Sequence, residues 1–411
     1  MIDPSPRLAR RITLALLAVQ SLGSAGSIGV ATVAAIVGAE LSGRASLAGA
    51  PGATYQVGVA FAALLWGTLS DRLGRRNALS LGLTTGVIGA FGALLGVVTG
   101  SFGVLLLGLV VMGSGTASVQ LGRFAAAEVN PVERRGRAVA TVVLGGTFGS
   151  VVGPTLVAPT GAIASGFGWS ELAGPYLTVM VVYLLSIVVL QLALRPDPKA
   201  IGEAIGRASP APTRTIARPL RELVRDPMVV TAVVTVVLAH AVMVGLMQMT
   251  SLHMRDHEHT LAGISLVFSS HTFGMFAFSV VTGQLADRWG RIPVIVTGAL
   301  ITIASCLAAP LSPQLVPLAV ALFGLGIGWN MCYVAGSALL SDALSPVEKA
   351  RTQGLNDLFV GLAGASAILF AGMLFAGAGY AVMGITGAAL TVPILPLMVW
   401  LRRHRADPIA L

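Results

Sequence analysis

The chain has 411 residues, of which 55% are hydrophobic and only 10% charged, with 50 glycines and a net charge of +9. Such a composition excludes a soluble globular protein and marks a chain built to sit in lipid. The basic excess is carried by arginines beside apolar runs and not by a basic domain, which points to orientation in a bilayer and away from a nucleic-acid partner.

A helix that crosses the hydrocarbon core needs about 20 mostly apolar residues. Twelve runs meet that need, near 13–36, 54–70, 78–99, 102–126, 137–159, 173–194, 228–249, 261–283, 292–309, 314–340, 353–376 and 380–401. Abundant glycine and alanine suit helices that pack closely in lipid. The alternating ten-residue segments of a membrane barrel are missing. The first run follows Arg7, Arg10 and Arg11, is too long for the core of a signal peptide, and is expected to stay attached.

Lysine and arginine fall almost entirely on one side of the expected spans, with Arg44 and Arg255 on the other. The positive-inside rule then puts both termini in the cytoplasm of a multi-pass protein of the plasma (inner) membrane. The proline-rich stretch 195–226 reads as a cytoplasmic linker between a half at 1–194 and a half at 227–411. Within it, Leu220, Leu223 and Val224 with arginines between them read either as a short interfacial helix or as solvated linker.

Two stretches recur. Gly67–Arg76, G-T-L-S-D-R-L-G-R-R, has a near copy in G-Q-L-A-D-R-W-G-R at Gly283–Arg291. The segment from Glu128 to Arg137, with Pro131 and Glu133, is echoed from Asp342 to Arg351 by Pro346 and Glu348. Two matches at nearly one offset indicate internal duplication, with the halves related by an axis along the membrane normal. In the first motif Asp71 is placed to face the positive end of another helix, and Arg75 lies one helical turn on, able to pair with an acid.

The repeated motif resembles, nearly residue for residue, the loop signature G-x-L-a-D-r-x-G-r-[kr] of the major facilitator superfamily. That resemblance covers essentially the whole chain. It implies an all-α membrane protein of twelve transmembrane helices in two pseudo-symmetric six-helix bundles, working as a secondary active transporter by alternating access. It also implies that the motif aspartate caps a helix of the opposite half, and that Arg75 pairs with an acid at the cytoplasmic end of the fourth helix, where Glu128 stands. Asp287, Arg291 and Asp342 form the second set. Such a network acts as a gate; the plainer reading is that these charges only fix topology and loop shape.

Arg123 and Asp357 lie deeper than loop charges, so each needs a partner. They are expected to meet across the halves at the gate, unless Arg123 snorkels and Asp357 caps its own helix. The fifth run, V-L-G-G-T-F-G-S-V-V-G-P, resembles the exporter-associated G-x-x-x-G-P motif at Gly149, Gly153 and Pro154, with Val157 where a last glycine belongs. The fourth-helix arginine of many family exporters is Leu109 here, so proton coupling through that position is not available.

No carboxylate lies centrally in a span. The central polar residues are Gln20, Gln120, His240, Gln248, His271, Asn330 and Tyr333. His240 and His271 titrate near neutral pH and are the coupling candidates, although a membrane histidine also serves as a neutral hydrogen-bonding residue. Family members line their cavity with helices 1, 4, 7 and 10, which here supply Gln20, Gln120, His240, Gln248 and Asn330 among small and apolar residues. That favours a neutral or weakly cationic amphiphile. His253, Asp256, His257, Glu258 and His259 suggest a metal site or, more plainly, a solvated outer loop; no metal and no cofactor is expected. Cys306 and Cys332 read as small buried hydrophobes.

The function expected is proton-coupled efflux of a small molecule by a monomer in the bilayer. An uptake symporter or facilitator is the first alternative, and a membrane receptor without transport the second. No nucleophile, base and orienting acid are spaced as an enzyme's site.

Overall fold

The computed structural model describes residues 6–131, 134–208 and 218–406. The regular elements among them are all helical. The chain divides into two compact units, one comprising Met1–Arg44 with Ala50–Pro212, the other Ala45–Gly49 with Thr213–Leu411. Together these observations establish an all-α membrane protein.

The first unit holds α1 (Pro6–Ser42), α2 (Ala50–Leu73), α3 (Arg75–Val98), α4 (Phe102–Glu128), α5 (Arg135–Thr155), α6 (Val157–Gly166), α7 (Gly174–Ala193) and α8 (Pro198–Ala208). The second holds α9 (Leu220–Leu223), α10 (Pro227–Asp256), α11 (Leu261–Phe276), α12 (Ser279–Arg288), α13 (Arg291–Ala308), α14 (Leu315–Asp342), α15 (Pro346–Thr391) and α16 (Ile394–Ala406). Ten helical stretches of the described residues are long and apolar enough to cross a membrane. The last of these, Thr352–Arg403, runs for 52 residues, more than twice what a crossing of about 30 Å requires. It bends at Gly379, whose φ of 76° is the left-handed conformation that glycine adopts without strain. The spans expected at 353–376 and 380–401 lie on either side of that bend. The expected second span lies within α2, which falls outside the ten.

Several boundaries differ from the sequence expectation, each for an identifiable reason. Helix α1 reaches Pro6 and Ser42, beyond the expected 13–36, because hydropathy sees the apolar middle of a helix and not its polar ends. The fifth span is two helices: Pro154 lacks an N–H, and the chain re-forms its ladder at Val157. The eighth span breaks between Phe276 and Ser279 without any proline. Asn330 of α14 holds that break, donating to the Met275 carbonyl at 2.6 Å and to Ser279 Oγ at 2.8 Å while accepting from Thr282 Oγ1 at 2.6 Å. The linker carries α8 as well as the short α9, which includes Leu220 and Leu223. Its residues 209–217, Arg214 among them, and Glu133 of the second repeat lie outside the described residues.

The exporter-like glycines of α5 form a packing face. Gly145, Gly149 and Gly153 are spaced four apart, so they line one side of the helix. A Cβ on them would overlap, respectively, the carbonyl oxygens of Leu17, Ser21 and Ala25 on α1. Backbone thus meets backbone, the contact that holds helices together where lipid supplies no hydrophobic drive. Gly149→Leu is expected to cost about 1–3 kcal/mol through overpacking, read as a lower melting temperature of the purified protein. Gly136→Leu on the same helix, where nothing lies within 4 Å, leaves the melting temperature unchanged.

Candidate functional site

The two copies of the motif fold into the same turn. Gly74 has φ 82° and ψ 162°, and Gly290 has φ 91° and ψ 161°, so each chain reverses through a conformation open to glycine and starts the next helix on an arginine. An arginine at a helix start is poorly placed, because the first N–H groups already give that end a positive potential. Each copy supplies acids to offset it.

In the first unit, Arg75 Nε lies 3.0 and 2.9 Å from the two carboxylate oxygens of Glu128, the last residue of α4, and its Nη2 bonds the same carboxylate. Nη1 stands 3.3 Å from Asp71 and bonds Ser70 Oγ. Side-chain exposures of 19% for Arg75, 29% for Glu128 and 72% for Asp71 decide which contact matters. The sheltered, forked Arg75–Glu128 pair is worth about 1.5–3 kcal/mol, whereas the exposed Asp71 contact adds about 0–1 kcal/mol. In the second unit, Arg291 Nε lies 3.1 Å from Asp342, the last residue of α14, and Nη1 lies 2.5 Å from Asp287. The geometry thus joins all six predicted latch residues into two sets of three, each within its own unit.

Sequence reasoning missed Asp197. Its Oδ1 accepts the backbone N–H of Lys199 at 2.9 Å and that of Arg75 at 3.0 Å, while Oδ2 accepts that of Arg76 at 3.0 Å. One carboxylate therefore caps two helices, its own α8 and, across the turn, α3. A Cβ on Gly74 would clash with this carboxylate, which gives the glycine a second reason to be there. The signal was present in R-P-D-P-K, an aspartate before a proline at a first helical position. Lys199 Nζ adds a bond to the Asp71 carbonyl at 2.6 Å.

A second tie was also missed. Arg218 bonds Glu348 through Nε at 3.0 Å, Nη2 at 3.1 Å and its backbone N–H at 2.8 Å, and it bonds the Ala343 carbonyl at 2.8 Å and Asp226 at 3.2 Å. Glu348 closes the capping box of α15 with Ser345, and Asp226 caps α10. The Arg218 guanidinium, its N–H and that of Ser345 hold the Glu348 carboxyl well below the usual carboxylate range. A lowered value means the stabilisation is fully present at neutral pH and is lost only as pH falls through the folded-state value.

The other candidates lie apart from these sets. Arg123 lies over the Phe124 ring at 5.0 Å, and Asp357 accepts from Gln353 at 3.1 Å. Gln20 donates to Ser24 at 3.2 Å, Gln120 is exposed and Gln248 is buried. His271 is buried between α11 and α14 with Nδ1 2.8 Å from the Leu322 carbonyl. Asn330 spends its amide on the α11–α12 break. His240 packs beside Trp329 with ring centroids 6.2 Å apart. In the outer histidine segment, the His253 ring stacks on Tyr380 at 4.2 Å and lies 4.4 Å from His257, while His259 bonds the Pro313 carbonyl. Among the described residues no group of three or more His, Cys, Asp or Glu converges as a metal site. A Tyr55–Thr116–Tyr183 hydroxyl chain, also missed, ties α2, α4 and α7.

A duplicated, all-helical membrane fold with this paired turn defines a class of secondary transporter. The profile of the Major Facilitator Superfamily matches residues 14–263 and 246–410, and the chain belongs to that family. It is a membrane transporter and not an enzyme. The MFS-type transporter YdeG of Bacillus subtilis (strain 168) is 34% identical over 386 residues, covering 93% of this chain and 90% of the relative. The riboflavin transporter RfnT of Brucella anthropi is 29% identical over 399 residues, covering 96% of each. A bacterial homologue of the human lysosomal transporter Spinster, solved inward-facing and unoccupied, superposes with a TM-score of 0.68 over 96% of both chains at 19% identity.

Asp197→Asn is expected to weaken both helix caps, costing about 0.5–2 kcal/mol. The measurement is the melting temperature of the purified protein; a value equal to wild type would show that the double cap carries nothing.

Proposed function

We propose that the protein exports a small amphiphilic molecule across the plasma (inner) membrane, coupled to proton entry. The halves at 1–194 and 227–411 alternate access about the linker 195–226, with both termini cytoplasmic. The observation that carries this reading is the latch built twice, Asp71–Arg75–Glu128 and Asp287–Arg291–Asp342. Moving a two-state equilibrium from 1:99 to 99:1 takes about 5.5 kcal/mol. The sheltered Arg75–Glu128 pair at about 1.5–3 kcal/mol and the more exposed Arg291 set at about 0–1 kcal/mol supply part of that bias and still release. We place Arg123 and Asp357 on the same gate, as partners across the halves.

The substrate path is assigned to Gln20, Gln120, His240 and Gln248, with Asn330 shaping it through the α11–α12 break. Of the two histidines, His240 is the first choice for the coupling proton: Nδ1 of His271 is engaged by a backbone carbonyl, whereas that of His240 has no partner among the described residues. The α5 glycine face resembling the exporter motif supports the outward direction. The alternative is uptake by the same cycle; the relative named a riboflavin transporter, aligned over 96% of each chain, carries no direction in its name.

In reconstituted vesicles, Arg75→Glu and Glu128→Arg should each abolish transport, and the double swap should restore a measurable fraction. Restoration by neither order of charge would break the latch reading. His240→Gln should remove the dependence of transport on a pH gradient while leaving substrate binding measurable by calorimetry. Gradient-driven transport equal to wild type would remove His240 from the coupling path. Accumulation in inverted but not right-side-out vesicles would fix the direction as export.

A further inference from the structure

At the end of the first unit that carries Glu128, a cavity of about 830 Å³ opens between the starts of α1 and α5, the loop after α4, and α8. Three arginines line it, Arg10 on α1 with Arg134 and Arg137 at the start of α5, and all three are exposed. No aspartate or glutamate is among its described lining residues. The arginines that brace the turns, Arg75, Arg218 and Arg291, are each held by carboxylates. Here three positive charges border open space instead, and a concavity lined by one sign of charge focuses its field on an anion.

The lining changes character with depth. Thr13 and Leu14 follow Arg10 by one turn of α1, and Ala138 and Thr141 follow Arg134 and Arg137 by one turn of α5. Both helices begin at this end of the unit and run inward, so charge at the mouth gives way to hydroxyl and apolar surface further in. Ala204 and Ile205 of α8 form the side wall. That wall is fixed in place: Ile201 is buried, and a Cβ on Gly202 would stand 3.3 Å from the Glu128 carbonyl oxygen.

A bilayer leaflet has the same gradient, with phosphates outermost and acyl chains within. We propose that this cavity binds the headgroup phosphate of an anionic phospholipid. The guanidinium forks take the phosphate oxygens, and the first acyl segments lie over Leu14 and Ile205. A free phosphate would use the arginines and leave the apolar floor in water. A choline lipid would bring a second cation against three guanidiniums. The inference needs only the chain's place in a bilayer and stands apart from the direction and coupling of transport.

Phosphatidylglycerol is the probe, titrated into the purified, delipidated full chain in dodecyl maltoside and followed by native mass spectrometry. Phosphatidylcholine and glycerol phosphate are the comparisons. Phosphatidylglycerol should bind saturably and more tightly than either. Arg10→Gln, Arg134→Gln and Arg137→Gln together should weaken it about a hundredfold, and Arg137→Gln alone about fivefold. Arg221→Gln, Arg225→Gln and Arg402→Gln together remove the same charge from exposed positions of the second unit and should leave binding unchanged. Melting curves without lipid show whether each variant is folded; should the first triple variant melt early, Arg137→Gln carries the test. Equal weakening by both triple variants would reduce the effect to surface charge and overturn the site. Glycerol phosphate binding as tightly as phosphatidylglycerol would overturn the lipid as ligand and leave a free-anion site. Equal binding of phosphatidylglycerol and phosphatidylcholine would overturn the proposal outright.

Discussion

Two charges stand at the wrong ends of their helices, and each is tolerable only because of the other. Arg75 opens α3, where unsatisfied N–H groups already favour an anion, and Glu128 closes α4, where free carbonyls already favour a cation. The two helices run in opposite directions and bring the misplaced charges within 3.0 Å of one another. Arg291 and Asp342 do the same for α13 and α14. Local preference opposes each charge, and the tertiary pair offsets that cost. A bond maintained against local preference leaves both partners unfavourable if it is broken.

Around these turns the two units share a plan and differ in detail. Asp197 reaches over Gly74 to cap α3, whereas among the described residues no side chain is seen to cap α13 at Gly290. Glu128 grips Arg75 with both oxygens, and the shorter Asp342 engages Arg291 through one. The segment joining the units is tied at each end to its own unit, by Asp197 to the first motif and by Arg218 to the α14–α15 connection. The chain thus carries two copies of one ion-paired turn, with the first more heavily braced.

In lipid the helices gain little from hiding apolar surface from one another, so contact and polar satisfaction decide the packing. The α1–α5 interface is won by glycines that admit a neighbouring backbone. The α11–α12 break is held by an asparagine with all its groups engaged.

Much was legible in the chain itself. Hydropathy gives the approximate place of the apolar runs because a bilayer demands about 20 such residues per crossing. The repeated G-x-L-x-D-R-x-G-R turn pointed to both paired arginines, and the family resemblance pointed to Glu128 at the end of the fourth helix. Helix ends, the breaks at Leu156 and Ala277, and α8 in the linker were not legible, since polar residues carry no hydropathy signal and the α11 break depends on an asparagine 53 residues further on. Asp197 capping α3, Arg218 holding Glu348, and the convergence of His240, Trp329 and Phe276 were decided by tertiary structure alone. Each joins residues tens to more than a hundred positions apart, and only the packing of helices puts such groups within reach of a hydrogen bond or a ring contact.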